Sequence, residues 1–298
     1  MKLEQLEHLL AIVEQGSLRA AARRLGIPQP ALTRSIRALE RELGGPLFLR
    51  ETSGMVLNEM GRRFHARAGV IVNEARRAQD EFAQGRGEEE GSVVASLSIM
   101  PHLGMLPQAL QPFRQRYPKV RLRLLEGLFP DVEPALRDGS VDFYLGAAPH
   151  QPVAPGLNVR HLFDNTRTIV GRKGHPLARA RSLKELADAE WATTSVEYRA
   201  EEDLARLFQA HGLPAPRVVL ATRSALSLIV GLAYSDLLAM LPRQWEDFPL
   251  TRDALQVIRL KEVLPAPEIV LIQRAGVPLT PAAEFLCDVL LRQGPQAG

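Results

Sequence analysis

The sequence predicts a mixed α/β protein with a helical N-terminal module, one long helix and a larger C-terminal half of alternating strands and helices. Short helical patterns broken by glycines fill residues 1–57, and a proline-free helical pattern covers 58–86. Apolar runs alternate with amphipathic segments over 92–298, which is typical of βα units. The length of 298 residues also favours more than one domain.

Composition excludes several classes of protein. The chain starts without the apolar stretch of a secretion signal and has no apolar run of about 18 residues, so we expect a cytoplasmic protein without a membrane span. Its single cysteine, Cys287, rules out an internal disulfide. The seven histidines lack metal-ligand spacing, and phosphate-binding loops, dinucleotide fingerprints and nucleophile elbows are missing. We therefore expect no metal, no cofactor and no enzyme activity.

Basic residues are concentrated near the N-terminus. Residues 15–67 contain 10 Lys/Arg against 4 Asp/Glu, whereas the whole chain has a net charge of only +3. Such a block fits a surface that binds a polyanion, although a solvated helix face gives the same pattern. Within the block, Ser17 is placed to cap a short alanine-rich helix, and Gly26 is placed to end it.

The next helical pattern, from about Pro28 to Leu43, has two different faces. Apolar side chains recur on one face at helical spacing, and arginines fall on the opposite face. Arg can contact guanine, Gln can pair with adenine, and Thr can meet a thymine methyl group. The helix is either the recognition helix of a helix-turn-helix or an amphipathic helix with a solvated basic face, and the tight turn before it favours the former. Its predicted DNA contacts are Gln29, Pro30, Thr33, Arg34 and Arg37.

A hairpin is predicted directly after this helix. Two short apolar runs between Leu47 and Leu57 flank a Thr-Ser-Gly tip, which is a hairpin signature. After a recognition helix, such a hairpin would be the wing of a winged helix-turn-helix. Arg50, beside the tip, can hold a phosphate or enter the minor groove, and Ser53 lies at the tip. Both residues are predicted DNA contacts.

The long helical pattern after Asn58 carries a heptad seam. Alanines on the seam allow close approach of a partner helix, which favours dimerisation. A seam of fewer than four heptads can also pack on its own domain. Its place between a basic module and the charged, glycine-rich segment 85–91 favours a dimerisation helix. The seam consists of Phe64, Ala68, Ile71, Ala75, Ala78 and Phe82.

Candidate ligand contacts lie where predicted strands of the C-terminal half end. Alternating strands and helices predict parallel sheets, which bind ligands at the carboxyl ends of their strands. A helix N-terminus at such a place suits a small anion, although Ser98 and Ser224 are equally suited to be helix caps. The predicted effector contacts are Ser98, Met100, Pro101, His102, Phe129, Ala147, Thr194, Ser195 and Ser224.

These residues together resemble the LysR-type transcriptional regulators. The N-terminal signature comprises Gly16-Ser17-Leu18-Arg19-Ala20-Ala21-Ala22-Arg23-Arg24-Leu25-Gly26, Gln29-Pro30-Ala31-Leu32-Thr33-Arg34, Leu43-Gly44, Leu47-Phe48 and Gly61. The C-terminal half matches at Leu106-Pro107, Tyr117-Pro118, Glu126-Gly127, His175-Pro176-Leu177-Ala178 and Leu241-Pro242. Two further segments resemble a branch of the family that includes an aromatic-sulfonate catabolism regulator, namely Ser235-Asp236-Leu237-Leu238 and Thr280-Pro281-Ala282-Ala283.

The resemblance covers essentially the full chain and implies its fold and function. The fold is α/β overall, with a winged helix-turn-helix, a long linker helix and a two-subdomain, periplasmic-binding-protein-like effector domain. The function is that of a sequence-specific transcription regulator whose binding or bending of double-stranded DNA responds to a small-molecule effector in the cleft. Self-association as a dimer or dimer of dimers is also implied. The implied boundaries are 1–57, 58–91 and 92–298, with subdomain I at about 92–162 plus 267–298 and subdomain II at about 163–266.

Two departures from the family pattern concern phosphate contacts. The family commonly has Ser where this chain has Pro28, and often a basic residue where it has Ser53. Phosphate binding is therefore expected to rest more on Arg34, Arg37 and Arg50. One alternative function remains, a small-molecule-binding protein or enzyme whose N-terminal helices serve only for oligomerisation. Ligand binding that survives deletion of the N-terminal module, without DNA binding by the whole chain, would favour it.

Overall fold

The computed structural model describes residues 1–51, 54–194, 199–246 and 248–294. Its N-terminal part consists of three short helices, a two-stranded hairpin and one long helix. No helix in these ranges is long and apolar enough to cross a membrane. The elements are α1 (Leu3–Gln15), α2 (Leu18–Leu25), α3 (Gln29–Leu43), β1 (Phe48–Glu51), β2 (Gly54–Leu57) and α4 (Glu59–Gly85).

Local sequence signals fix the ends of the first three helices. The Ser17 hydroxyl accepts a hydrogen bond from the Ala20 amide at 3.2 Å and so caps α2, as predicted. Gly26 ends α2, and Gly44 ends α3, each in the left-handed region at φ 66° and 76°. The three helices share one buried core, whose fully buried side chains include Leu6, Leu9, Ile12, Ala21, Leu32 and Leu39.

The C-terminal half contains two five-stranded sheets with helices between their strands. Its first elements are β3 (Ser92–Leu97), α5 (Ile99–Gly104), α6 (Leu106–Arg116), β4 (Arg121–Glu126), α7 (Glu133–Arg137), β5 (Phe143–Ala147) and β6 (Leu157–Asp164). The chain continues through β7 (Arg167–Arg172), β8 (Glu190–Thr194), α8 (Arg199–Ala210), β9 (Arg217–Thr222), α9 (Ala225–Ala233) and β10 (Leu237–Pro242). It ends with β11 (Leu255–Ile258), β12 (Glu268–Arg274) and α10 (Pro281–Leu291).

The two sheets define two subdomains. The sheet of subdomain I has the strand order β4-β3-β5-β12-β6, and that of subdomain II has the order β11-β7-β10-β8-β9. The chain crosses between them twice, from β6 to β7 and from β11 to β12. β6 runs to Asp164, two residues past the expected boundary at 162. We use subdomain I for residues 92–164 and 268–294, and subdomain II for residues 167–258.

The expectation of parallel sheets is wrong, because both sheets are mixed. β3 pairs in parallel with β4 and β5, and β8 pairs in parallel with β9 and β10. In contrast, β12 runs antiparallel to β5 and β6, and β7 runs antiparallel to β10 and β11. The antiparallel pairs all involve strands next to a crossing, since a chain that returns from the other subdomain re-enters its sheet in the opposite direction.

The long helix α4 is attached at both ends. At its start, the Asn58 side chain accepts a hydrogen bond from the Gly61 amide at 2.7 Å and so caps the helix. Further along, a polar stripe of α4, here the linker stripe, contacts subdomain I. The stripe includes the buried ion pair between Arg77 and Asp142, whose nitrogen and oxygen are 2.7 Å apart. Its other bonds are Asn73 to the Asp138 carbonyl, Glu74 to Arg274, Asp80 to the Ser92 amide and Gln84 to the Ala282 amide.

Candidate functional site

The candidate DNA-binding surface is the exposed face of α3. Leu32, Ile36 and Leu39 anchor the helix in the N-terminal core, which leaves the opposite face outside. Gln29, Pro30, Arg34 and Arg37 are exposed on that face, and Thr33 is half-buried. The Thr33 hydroxyl donates to the Gln29 carbonyl at 3.0 Å, so its methyl group is the part that remains for a partner. The predicted contacts of this helix therefore share one surface.

The arginines on this surface carry uncompensated charge. In the described part of the chain, neither Arg34 nor Arg37 has a carboxylate within 4.0 Å, whereas the neighbouring Arg24 pairs with Glu14. Glu40, also on α3, is occupied by the Leu47 amide at 2.8 Å. Free guanidinium groups on one helix face fit phosphates and guanine edges.

The predicted hairpin forms directly after α3. β1 and β2 pair antiparallel, and the Arg50 backbone lies opposite Met55. Ser53, at the predicted tip, is outside the described residues. Pro28 is the N-cap of α3 and provides no side-chain hydrogen bond there, in keeping with its lack of a hydroxyl.

A cavity of about 140 Å³ lies between the two sheets, here the first cavity. It is similar in size to an apolar cavity that holds one benzene molecule. Five predicted effector contacts line it, from both subdomains: Ser98, Met100, Phe129, Ala147 and Thr194.

The other predicted effector contacts lie elsewhere. Pro101 and His102 belong to the short helix α5, which turns them away from the first cavity, and the His102 ring bonds the Ser98 carbonyl at 2.9 Å. Ser224 does not line the cavity either, because its hydroxyl caps α9 by accepting from the Ser227 amide at 3.2 Å. Ser195 is outside the described residues.

Ser98 has a different role from a helix cap. It is buried and makes no side-chain cap bond to α5. Its hydroxyl instead bonds the buried Tyr144 phenol, which donates to the Ala147 carbonyl at 2.9 Å. Burial raises the pKa of Tyr144, and the bond from Ser98 opposes this shift. Gly146 makes room for the pair, since a Cβ there would lie 2.6 Å from both hydroxyl oxygens.

Sequence reasoning missed the charged lining of the first cavity. Arg167, on β7, pairs with Asp203 of α8 at 3.2 Å, and both are largely buried. Asn165 and His150 also line the cavity. These residues lie in separate segments of the chain, so no local motif could have identified them.

A second cavity of about 330 Å³ adjoins the first. Four residues line both cavities: Ser98, Ile99, Leu128 and Thr194. An ion pair between Asp131 of subdomain I and Arg223 of subdomain II lies at the second cavity and bridges the two subdomains.

The heptad seam of α4 divides into two halves. Ala68 is fully buried in the N-terminal core, and Phe64 packs against the same core. Ile71, Ala78 and Phe82 are exposed, and Ala75 is half-buried. The first half of the seam therefore packs on its own domain, and the second half presents apolar surface.

One group of described side chains has the spacing of metal ligands. His161, Asp164 and Glu268 bring their ligand atoms within 4.8 Å of one another at the start of the crossing between subdomains. All three are exposed. Exposed carboxylates are common without a metal, so this group has no assigned role.

Comparisons with known proteins agree with this architecture. The family model for a bacterial regulatory helix-turn-helix protein of the lysR family matches residues 3–62, and the model for a LysR substrate binding domain matches residues 86–295. The HTH-type transcriptional regulator GalR of Pseudomonas putida is 30% identical over 286 residues, which cover 95% of this chain and 71% of GalR.

Other relatives match along nearly their whole length. The SDS degradation transcriptional activation protein of a Pseudomonas species is 27% identical over 300 residues, covering 97% of this chain and 95% of that protein. The crystal structure of CbnR, a LysR family transcriptional regulator, has a TM-score of 0.73 at 21% identity and covers 98% of this chain and 99% of CbnR. These relatives are transcription regulators and not enzymes. The chain belongs to the LysR family, and it is a DNA-binding transcription regulator with a helix-turn-helix and an effector-binding domain.

Proposed function

We propose that the protein binds operator DNA through α3 and the wing. Arg34 and Arg37 carry this proposal, because both are exposed and lack a carboxylate partner within the described chain. A helix with one face buried can lie in the major groove and present its other face to base edges. The proposed DNA contacts are Gln29, Pro30, Thr33, Arg34, Arg37, Arg50 and Ser53.

The effector is proposed to be a small anion that binds in the cleft between the subdomains. Residues of both subdomains line the first cavity, so a ligand there can favour one arrangement of the two sheets over another. Through the linker stripe, a change in subdomain I would reach α4 and alter the spacing of DNA-binding modules and the bend of the DNA.

Self-association is proposed to use the exposed half of the seam on α4. Ile71, Ala78 and Phe82 offer apolar surface that a second copy would cover. A two-fold dimer matches a two-fold related operator, and two dimers can pair further. We further propose domain boundaries at 57/58 and 91/92 and a cytoplasmic location, where a DNA-binding protein meets its target.

Fluorescence anisotropy with duplexes from the promoter region of the protein's own gene would test DNA binding. Arg34→Ala should weaken specific binding by roughly 1–3 kcal/mol if Arg34 contacts a base. Arg179→Ala is the matched control, because Arg179 is also exposed and unpaired in the described chain but lies in subdomain II. Affinity should fall steeply with salt. The proposal fails if the protein prefers none of these duplexes over a random one.

A further inference from the structure

The second cavity contains a buried hydroxyl without a partner. Ser96, on β3, is only 1% exposed, and its hydroxyl makes no hydrogen bond within the described chain. Ser96 lines the cavity next to Gly127, where an added Cβ would lie 2.8 Å from the Ser96 oxygen. A buried hydroxyl left unpaired is costly, so a bound acceptor atom would complete this site.

Across the same cavity, Arg223 offers a cation that is held only loosely. Its one carboxylate partner among the described residues is Asp131, which belongs to the other subdomain. The two side chains are 68% and 43% exposed, and ion pairs at such exposure contribute little stability. The carboxylate of Asp131 can therefore be exchanged for another anion at small cost.

We propose that the second cavity binds the anionic group of the effector, and that Asp131 competes with the effector for Arg223. This proposal rests on the proposed function of the cleft as the effector site. The carboxylate or sulfonate of the ligand would pair with Arg223 and accept a hydrogen bond from Ser96. The apolar body of the ligand would lie against Ile99 and Leu128, which form the wall shared with the first cavity.

Charges around the cleft narrow the class of ligand. Glu126 and Asp131 line the second cavity together with Arg223, so a single positive charge faces two negative ones. A ligand with one negative charge would replace Asp131 at the guanidinium, whereas a dianion would add repulsion from Glu126. Arg167, in the first cavity, is a poorer candidate because its pair with Asp203 is only 15% and 17% exposed. The expected effector is a monoanion with an apolar body.

Isothermal titration of the full chain would test this proposal with benzoate and benzenesulfonate as monoanionic probes. Benzamide serves as the neutral probe and phthalate as the dianionic one. Asp131→Asn should tighten benzoate binding by roughly two- to fivefold, because an exposed competitor is removed. Arg223→Gln should weaken it by about tenfold. Asp253→Asn is the control, since Asp253 is an exposed carboxylate that pairs with Lys173 away from the cleft.

Several outcomes would overturn the proposal. One is an unchanged affinity for benzoate in Arg223→Gln, and another is a lower affinity for benzoate in Asp131→Asn. The others are tighter binding of phthalate than of benzoate, and no binding of benzoate or benzenesulfonate at millimolar concentration. Operator binding by the same variants separates a failure of this anion site from a failure of the proposed function. If the variants bind operator DNA but their benzoate affinity does not change as expected, only the proposed anion site is wrong. If the unmodified protein has no preference for operator DNA over a random duplex, the proposed function is wrong.

Discussion

Replacing Arg77 by methionine should strongly destabilise the joint between α4 and subdomain I. Arg77 and Asp142 are 7% and 4% exposed, and the variant would leave Asp142 with the Val94 amide, at 2.7 Å, as its remaining bond. Removing one partner of a buried ion pair costs roughly 3–5 kcal/mol, because the other charge stays buried and unpaired. Asp142→Leu in the same chain should restore much of the loss, since a buried pair gains little over apolar residues.

The pH dependence of this variant has a defined sign. Burial raises the pKa of Asp142 above its ordinary value of 3.8, and the charge of Arg77 opposes this shift. Without Arg77 the pKa of Asp142 in the folded state rises further, so the folded state holds its proton more tightly than the unfolded state. The loss in free energy of unfolding caused by Arg77→Met should therefore be smallest at low pH and grow as the pH rises above about 4.

Urea unfolding followed by circular dichroism at several pH values would measure both effects. Arg63→Met is a matched control, because Arg63 also lies on α4 and pairs with Glu59 at 2.7 Å, but on an exposed face. We expect the control to lose about 0.5 kcal/mol or less. Equal losses in Arg77→Met and Arg63→Met, or a deficit that shrinks with rising pH, would refute the reasoning.

Four other substitutions concern the same helix. Gly61→Ala would place a Cβ against the Leu47 carbonyl oxygen and should lower the free energy of unfolding by roughly 1–3 kcal/mol. Gly69→Ala is its control, because that position faces open space and alanine should stabilise α4 slightly. Equal effects of the two variants in thermal unfolding would contradict this. Burial lowers the pKa of His65 below its ordinary value of 6.5, so stability should rise as the pH approaches 6.5 from below. His65→Gln should flatten that rise, and an unchanged slope would exclude His65 as its source. Phe82→Asp should weaken self-association in sedimentation experiments while the circular dichroism spectrum of the fold is retained, and an unchanged association state would remove Phe82 from the interface.

The N-terminal module could be predicted because its signals are local. The apolar stripe of α3 and the glycines that end α2 and α3 lie within a few residues of the structure they specify. The heptad seam was also visible, but its period does not say what covers each position. Phe64 and Ala68 meet the N-terminal core because the hairpin brings α4 back over it.

Elements at the edge of a sheet gave weaker signals. The strand β6 has a weak sequence signal, because both its faces are largely exposed and the alternation of Leu157-Asn158-Val159-Arg160 breaks at His161. The ion pairs of the cleft could not be predicted, since Arg223 and Asp131 are brought together only by the packing of two subdomains.

The order of the strands in subdomain I has a consequence for synthesis. β12 lies between β5 and β6, yet it is made only after all of subdomain II. N-terminal domains generally fold first as the chain leaves the ribosome. The helix-turn-helix can therefore fold before β12 has been added between β5 and β6. At that stage α4 also lacks two of its partners in subdomain I, Arg274 and Ala282. A chain that stopped before β12 would carry a DNA-binding module without a completed control domain.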